Sequence, residues 1–420
     1  MKERALATVQ RISKIESIPD ANKIELASIL GWKCIVGKNE FEANDLVVYF
    51  EVDSVLPASN ASFEFLRKRC YFDNGVVCGY RIKPIKMKGV ISQGLILSTA
   101  VLPSKYQPYK EGDDVTRILG VVKYISPDDV EQTTEFIHYP FWLSKVFHSK
   151  FKRIIKRFCD FDKFNEWPPQ FPHTDETRIQ SNPDILNEMK DKNGYGFIIV
   201  TEKIDGQSAS FGVVNDVYYV CSRTTIKHTF PLKFTSYIKY KLIEKFLPYF
   251  YKDHNSNWTT FSKEVRLMER LIEARKRFFS FYKYPDGRHC IENFVIQGEL
   301  AGPGIQKNRL HLPERRLFVF SFIDLKSGFY YSQAATQAFC EIIKELGKND
   351  REKMSVQMVP IICEMIVGKD TTIEDFEKMA QRRSLINSNE LAEGIVVRSD
   401  IHLDTKKSFK VINPEYLLSE

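Results

Sequence analysis

A short charged segment follows an apolar run near the middle of the chain. The run at residues 197–200 predicts a buried strand, and it leads into Thr201-Glu202-Lys203-Ile204-Asp205-Gly206. Because side chains alternate along a strand, Lys203 and Asp205 would lie on the same face. A lysine amine beside carboxylates and a metal ion could act as a nucleophile. Taken alone, the segment is explained more simply by an ordinary hairpin with an ion pair, so the rest of the chain must decide.

Length and composition describe a folded protein of two or more domains. The chain has 420 residues, of which 43% are hydrophobic and 27% charged, values typical of globular proteins. No window reaches the roughly 18 apolar residues that a membrane span requires, and no apolar stretch follows Met1 to form a secretory signal. The eight cysteines include no Cys-x-x-Cys pair, which favours reduced thiols in an intracellular compartment, cytoplasm or nucleus. The net charge of +7 is compatible with a polyanionic partner.

The first 120 or so residues predict many short strands separated by turns, a pattern that favours a small closed barrel. The course Gly31-Trp32, Asp45, then Val48 to Ser54 and Leu56-Pro57 resembles OB-fold domains. OB barrels often bind single-stranded nucleic acid through basic and aromatic side chains. Basic residues that alternate with apolar ones would place positive charge on one barrel edge, or would form an ordinary solvated face. They are Arg81, Lys83, Lys86 and Lys88.

Residues 139–164 are rich in aromatic and basic side chains and predict an amphipathic basic helix. Such a helix could lie on RNA phosphates or on a membrane surface. It more often bridges two domains, and we favour that reading. The run Trp167-Pro168-Pro169 would end it. We therefore predict an OB-fold domain at 1–125, a basic helical linker at 126–170 and a second domain at 171–420.

The second domain mixes strands with helices, which predicts an α+β fold. Helical spacing of apolar residues is found within 231–282, at 332–346 and at 372–383. Dense strand signals occupy 294–300 and 317–324, and two more follow at 393–398 and 408–412.

Several short motifs accompany Lys203-x-Asp205-Gly206 in a fixed order. They are Ser222-Arg223-Thr224, Gln297-Gly298-Glu299, Phe318-x-Phe320, Glu393-Gly394-x-Val396-Val397-Arg398 and Lys410. Together they resemble the ordered motifs of the covalent nucleotidyltransferases, which include DNA ligases, RNA ligases and mRNA capping enzymes. The match covers about residues 174–415. The resemblance implies an α+β nucleotidyltransferase (ATP-grasp-like ligase) domain preceded by an all-β OB-fold domain.

The resemblance also implies roles for the charged residues. Lys203 would attack the α-phosphorus of ATP and carry AMP. A lysine amine with the ordinary pKa of about 10.4 is protonated and inert, so burial and nearby positive charge must favour its neutral form. Asp205, Glu299 and Glu393 would hold a divalent metal, Mg²⁺ or Mn²⁺, directly or through water, and Glu299 would also touch the ribose or metal. Lys410 would contact the α-phosphate during catalysis.

Other residues would hold the rest of the ATP. Phe320, in preference to Phe318, would stack on adenine, although most such phenylalanines are buried core residues. Glu202 would accept a hydrogen bond from the adenine amino group. Arg223 would grip the ribose or a phosphate of the acceptor strand.

The final motif departs from the family pattern, which is Lys-x-Lys. This chain has Ser408-Phe409-Lys410, preceded by Lys406 and Lys407. Lys407 is therefore a candidate catalytic replacement for the missing lysine. Arg178 and Gln180, upstream of the nucleophile, are candidates for a clamp on the β- and γ-phosphates, or else part of a surface turn.

Domain order separates the members of the superfamily. DNA ligases and capping enzymes of this type carry an OB domain after the last motif, whereas ten residues follow Lys410 here. An N-terminal barrel resembles the fifth RNA ligase family. That resemblance implies a monomeric, ATP-dependent enzyme that joins 3′-hydroxyl and 5′-phosphate ends of nicked or bridged RNA. Lys307, Arg309 and Arg398 would supply contacts to the RNA.

Two other functions remain open at this point. A GTP-dependent mRNA capping nucleotidyltransferase would use the same lysine chemistry. A catalytically degenerate RNA-binding protein would keep the fold without the reaction, although the intact Lys203, Glu299 and Glu393 argue against it.

Overall fold

The computed structural model describes residues 5–73, 78–104, 108–124, 167–232, 256–281, 292–399 and 407–419. The basic helix expected at 139–164 lies outside these residues, as does most of the predicted linker. Among the helices of the described part, none is long and apolar enough to cross a membrane.

Short strands build the N-terminal unit, as the sequence predicts. They are β1 (Ala7–Arg11), β2 (Lys14–Ser17), β3 (Ile24–Ile29), β4 (Trp32–Gly37), β5 (Leu46–Phe50), β6 (Ser54–Leu56), β7 (Tyr71–Asp73), β8 (Cys78–Arg81), β9 (Ile85–Met87), β10 (Val90–Ser92), β11 (Leu95–Ser98) and β12 (Val122–Lys123). A single helical turn, α1 (Arg67–Cys70), lies between β6 and β7. The sheets have the orders β1-β5-β11, β2-β3-β4 and β12-β6-β8-β7, with β9 and β10 as a hairpin.

Strand β5 explains the longest apolar run of this unit. Val48 and Phe50 pack into one core cluster, while Val47 and Tyr49 pack into a second cluster on the other face. A strand that is buried on both faces loses the polar alternation of a surface strand. The run of apolar residues is therefore the consequence of two cores that share one strand.

The second unit contains two further sheets and several helices. Its strands are β13 (Thr177–Arg178), β14 (Gly196–Lys203), β15 (Gln207–Val214), β16 (Val217–Cys221), β17 (Ile226–Pro231), β18 (Phe294–Ala301), β19 (Arg316–Asp324), β20 (Phe329–Tyr330), β21 (Val356–Met358), β22 (Ile361–Val367), β23 (Gly394–Ser399) and β24 (Ser408–Ile412). Its helices are α2 (Ile185–Glu188), α3 (Asn257–Glu264), α4 (Leu267–Phe281), α5 (Gln333–Glu345), α6 (Asp350–Met354), α7 (Ile373–Ala380) and α8 (Pro414–Ser419). The helices predicted at 332–346 and 372–383 are confirmed as α5 and α7.

The chain passes from one sheet to the other beside Lys203. The five-stranded sheet has the order β13-β24-β23-β14-β22, and the other has the order β17-β16-β15-β18-β19-β20 with β21 also paired to β19. Strand β14 belongs to the first sheet and β15 to the second, so residues 204–206 join the two. A small apolar cluster that includes Ile204, Phe318 and Phe320 fills the space where the sheets converge.

Each sheet is covered by helices that bury its other apolar face. Helices α3, α4 and α5 contribute Phe261, Phe278 and Phe339 to a core on the larger sheet. Helix α7 contributes Phe376 to the core of the five-stranded sheet. Its start is fixed by a capping box between Thr372 and Asp375. The helices leave the region where the two sheets converge uncovered, so a site can form there.

Helix α6 is joined to the turn before α4 by a charged pair. Arg266 donates to both carboxylate oxygens of Glu352, at 3.0 and 2.7 Å, and the Lys348 amide donates to the same carboxylate at 2.9 Å. The hydrogen bonds from Arg266 are the main cause that lowers the pKa of Glu352 to about 2, against the opposing effect of burial. The folded state therefore favours the ionised carboxylate.

We expect the Glu352→Gln variant to unfold more easily by about 2 kcal/mol at pH 7, because Arg266 loses a charge-assisted partner. A carboxyl whose folded pKa is depressed stabilises the protein above its unfolded pKa, and that stability is lost as the pH falls towards the folded pKa. The difference between wild type and variant should narrow between pH of about 4.5 and about 2. Urea titrations across this range measure it, and a difference independent of pH would contradict the assignment.

Candidate active site

Lys203 lies at the last position of β14, where the two sheets converge on a cavity of about 470 Å³. Its amine donates to Glu393 Oε1 at 2.5 Å. Strand pairing sets this contact, because Lys203 is opposite Gly394 in the β14–β23 ladder and Glu393 directly precedes Gly394. The side chains of Lys203 and Glu393 are 22% and 18% exposed, so the pair is shielded but open to a ligand. A hairpin ion pair does not explain this contact, since 190 residues separate the two partners.

Glu299 and Asp205 complete a ring of acidic side chains around the amine. Glu299 is on β18 opposite Ser208 of β15, and both acids line the same cavity as Lys203. Burial acts to lower the pKa of Lys203, but the charges of Glu393, Glu299 and Asp205 outweigh it, so this pKa is raised. Burial raises the pKa of Glu299 to about 8 and also raises the pKa of Glu393. The carboxyl groups of Glu299 and Glu393 are therefore more difficult to ionise in the protein than in water.

Two glycines allow these acids to approach the neighbouring strands. A Cβ on Gly206 would lie 2.6 Å from the Leu300 carbonyl oxygen and 3.0 Å from Cγ of Glu299. A Cβ on Gly394 would lie 2.1 Å from the Val411 carbonyl oxygen, and its φ of +155° favours glycine. Both glycines directly follow an acid of the site, so each motif needs its glycine for close packing.

The donor set suits a hard divalent cation. Carboxylate oxygens are the ligands that Mg²⁺ and similar cations prefer, and the raised pKa values of Glu299 and Glu393 show negative charge that a cation would relieve. In the described ranges, no three acidic, histidine or cysteine side chains are close enough to hold a metal directly. The residues therefore fit a cation that is bound partly through its own waters.

Lys410 reaches the cavity from β24, opposite Val396 of β23. Burial, together with the positive charges of Lys203 and Arg178, lowers its pKa to about 7. An ammonium group whose charge is destabilised in this way is strongly stabilised by an anionic ligand.

Lys407 does not replace the missing lysine of the final motif, and that prediction is corrected. Its amine donates to the Glu188 carbonyl oxygen at 2.6 Å, outside the cavity. Ser408, at the position where the pattern has lysine, donates its hydroxyl to Glu176 instead. Glu176 also accepts from Arg398 at 3.2 Å, so a buried ion pair occupies the space near this position.

Phe320 and Glu202, the residues expected to bind adenine, both line the cavity. Phe320 lines it and is 8% exposed, whereas Phe318 is fully buried in the cluster beneath. Glu202 also lines the cavity, and its carboxylate accepts from the Ser384 hydroxyl and from the Leu385 amide, the latter at 2.6 Å. Burial raises the pKa of Glu202. The loop that holds Glu202 was not identified from the sequence, because Ser384 and Leu385 carry no motif of their own.

Arg398 is buried beside Phe320 in the cavity wall, whereas the predicted contact with RNA required an exposed side chain. It is 6% exposed, donates to Thr201 Oγ1 at 2.9 Å, and lies 5.1 Å above the ring of Phe320. Its ion pair with Glu176 neutralises the buried charge.

Arg178 and Gln180 have separate environments. Arg178 pairs in register with Lys410, is 9% exposed, and has two guanidinium nitrogens, Nε and Nη1, without a hydrogen-bond partner in the described chain. It stays a candidate for binding the ATP phosphates. Gln180 donates to Glu377 at 3.0 Å and packs near Gly31 of the N-terminal unit. Gln180 is thus a contact between the two units, and its predicted role in ATP binding is not supported.

Three basic residues expected to bind substrate line the mouth of the cavity: Arg223, Lys307 and Arg309. Arg223 is 48% exposed and only loosely paired with Asp175, at 3.9 Å. Arg309 instead donates to the Ser419 hydroxyl and carbonyl oxygen, at 2.6 and 3.0 Å, and stacks on Tyr416 at 4.7 Å. Arg309 therefore holds helix α8 in place and has little capacity left for RNA.

Helix α8 supplies residues that the sequence reading missed. The Asn413 amide donates to the Glu393 carbonyl oxygen at 2.9 Å, and Tyr416 lines the cavity. Burial raises the pKa of the Tyr416 hydroxyl, and the charges of Asp205 and Glu393 raise it further. Asn413-Pro414 is a helix-start signal that could have placed α8. Arg81 and Tyr124 of the N-terminal unit also line the cavity.

Family models match both units of the chain. A model described as an OB-fold domain matches residues 6–99, and a model described as RNA ligase matches residues 196–412, more than half of the chain. No curated protein sequence matches. The predicted order, an all-β OB-fold domain ahead of an α+β ligase domain, is confirmed.

Solved structures of an RNA ligase from Naegleria gruberi resemble the whole chain. The complex with PPi is 26% identical, covers 99% of both chains and gives a TM-score of 0.68. A mutant with ATP and Mn is 25% identical, with a TM-score of 0.68 over 99% of this chain and 98% of that one. A mutant with AMP and Mn is 24% identical, with a TM-score of 0.69 over 99% of both chains.

We expect Lys203→Met to lower the free energy of unfolding by about 3 kcal/mol at pH 7, because the acids around it lose their buried counter-charge. Millimolar Mn²⁺ should restore part of this loss in the variant. Urea denaturation with and without the metal measures both effects. The control is Lys407→Met, which lies outside the cavity and should change stability little. Absence of any stabilisation by Mn²⁺ in Lys203→Met would contradict a cation site beside Lys203.

Proposed function

The chain belongs to the RNA ligase family, and we propose that it uses ATP to join 3′-hydroxyl and 5′-phosphate ends of nicked or bridged RNA. The reaction would pass through lysyl-AMP on Lys203 and then through an adenylated 5′ end. One observation carries the proposal. The Lys203 amine, Asp205, Glu299, Lys410 and Phe320 share one cavity, and Glu393 bonds the amine.

The choice of ATP over GTP rests on Glu202. Both of its oxygens are acceptors, and its position is held by Ser384 and Leu385. An acceptor suits the amino group of adenine, whereas it would repel the carbonyl oxygen that guanine has at the same place. The similar Naegleria protein has structures with ATP, AMP and Mn, which supports ATP and a divalent metal as cofactors here. GTP-dependent capping is therefore the less favoured alternative.

In the first step the Lys203 Nζ atom attacks the α-phosphorus, the nitrogen–phosphorus bond forms, and pyrophosphate leaves. The ammonium must first lose a proton, and Glu393 Oε1 at 2.5 Å is placed to accept it. A divalent cation held by Asp205, Glu299 and Glu393 would supply positive charge that favours the neutral amine and offsets the phosphate charge. Lys410 would stabilise the charge that develops on the α-phosphate.

The next two steps use the same cavity. The AMP moves to the 5′-phosphate of the RNA, and the 3′-hydroxyl then attacks that phosphate and releases AMP. Each step is a displacement at phosphorus, which depends mainly on positioning and charge neutralisation. Arg223 and Lys307 at the mouth of the cavity would hold RNA phosphates.

The domain limits 1–125, 126–170 and 171–420 remain part of this proposal. The OB-fold model at 6–99 and the RNA ligase model at 196–412 lie inside the first and third of these ranges. Monomeric function is expected because all the proposed roles are filled by one chain.

Incubation with radiolabelled ATP, followed by denaturing electrophoresis, tests the proposal. We expect covalent label from α-labelled ATP in the wild type and none in Lys203→Ala, since the amine carries the AMP. Label from GTP in place of ATP would indicate the capping reaction. No label from either nucleotide, with RNA binding that falls steeply with salt, would indicate a degenerate RNA-binding protein.

Two lysines of the final motif should differ sharply in the same assay. We expect Lys410→Ala to slow lysine adenylylation by about 100-fold, because the α-phosphate loses a buried cation in the transition state. Lys407→Ala should keep the wild-type rate, because that amine bonds the Glu188 carbonyl oxygen outside the cavity. Single-turnover labelling rates measure the pair, and equal losses would contradict the assignment of Lys410.

A further inference from the structure

The N-terminal unit contributes a stacked pair to the mouth of the cavity. Arg81 at the end of β8 and Tyr124 just after β12 both line it, together with Lys203 of the ligase unit. Neither residue has a role in the chemistry derived above.

The Arg81 guanidinium is stacked on the Tyr124 ring, and the surrounding protein holds both in place. The guanidinium carbon of Arg81 lies 3.4 Å from the centre of the Tyr124 ring. Phe72 packs its edge against the same ring at 4.9 Å and 70°. The Tyr124 amide donates to the Asp53 carbonyl oxygen at 2.8 Å, which ties the backbone under the ring to the barrel. The flat faces are therefore held before any ligand arrives.

The positive charge of Arg81 is largely neutralised within the protein. Arg81 donates through Nη2 and Nε to Asp53 Oδ1, at 2.8 and 3.3 Å, and the two side chains are 17% and 28% exposed. A neutralised guanidinium attracts phosphate weakly, but its flat face still stacks well on a π-system. The half-exposed Arg223 is a better phosphate ligand. The stack therefore suits a base more than a phosphate.

The proposed adenine site is formed by other residues. They are Phe320, Glu202 and the buried Arg398, and all three belong to the ligase unit. A second stacking surface on the same cavity is then available to a second base.

We propose that the Arg81–Tyr124 stack is a platform for the terminal nucleobase of the RNA strand whose 5′-phosphate receives AMP. The inference rests on the proposed ligase function and extends it to the contribution of the barrel. Stacking on such surfaces is tolerant of sequence, because every base has a flat face. The platform would position the end for AMP transfer and would leave the reaction of Lys203 with ATP unaffected.

The experiment separates these two steps. Wild type, Arg81→Ala and Tyr124→Ala are first labelled with ATP in the absence of RNA. Each labelled protein is then mixed with excess nicked RNA, and the rate of AMP transfer to the 5′-phosphate is measured in one turnover. A second substrate carries an abasic nucleotide at the 5′ side of the nick. The matched controls are Tyr124→Phe, which keeps the ring, and Lys38→Ala, which removes an exposed charge of the N-terminal unit outside the cavity.

We expect labelling to be unchanged in all variants, which also shows that they fold. AMP transfer to intact RNA should fall about 10-fold or more in Arg81→Ala and Tyr124→Ala, and should be retained in both controls. The abasic substrate should lower transfer by wild type to the same extent, with no further loss in the two alanine variants.

Three results would overturn the inference. Slower labelling of Arg81→Ala would assign the residue to ATP. Equal transfer by wild type to intact and abasic ends would exclude a base contact, and undiminished transfer by the alanine variants would exclude the platform. Absence of label in the wild type would instead overturn the proposed function, and this inference would fail with it.

Discussion

The structure depends on one buried charge contact, the 2.5 Å pair between the Lys203 amine and Glu393. Removing either charge from water is costly unless a partner is close. The partner comes from a strand 190 residues away, so the five-stranded sheet must form before the pair can exist. Glu299 is contributed by the larger sheet. The contact therefore requires both sheets to converge, and Gly206 and Gly394 provide the space for it.

The balance of charge in the cavity explains why it is prepared for a cation and a polyphosphate together. Burial raises the pKa of Glu299 and Glu393, and it lowers the pKa of Lys410. Without a ligand, burial therefore destabilises the charged forms of both acids and of Lys410. A cation would stabilise the ionised acids, and a phosphate would stabilise the charged form of Lys410. Binding energy can then be used where the charge develops during reaction.

The two units meet at residues that also reach the catalytic region. Ser181 donates to Glu51 at 2.9 Å, and Arg178 lies 5.5 Å from the ring of Trp32. Arg178 is at the same time the register partner of Lys410. The barrel therefore touches the chain next to the final motif, and on the other side it contributes Arg81 and Tyr124 to the cavity. Such an arrangement makes the barrel part of the site.

The sequence by itself determined the two units and the acids and lysines of the site, because Lys203, Glu299 and Lys410 lie on strands, whose period of two sets the face of each side chain. Lys203, Asp205, Glu299, Phe320 and Lys410 line the cavity as the motifs indicate, and Glu393 bonds the Lys203 amine. Only the tertiary structure decided the partners of the arginines and of Lys407. Arg398 bonds Glu176, Arg309 bonds Ser419, and Lys407 bonds Glu188. These partners lie more than 100 residues away in each case. Local patterns hold no information on such contacts, since long polar side chains bind whichever group the folded chain brings within reach.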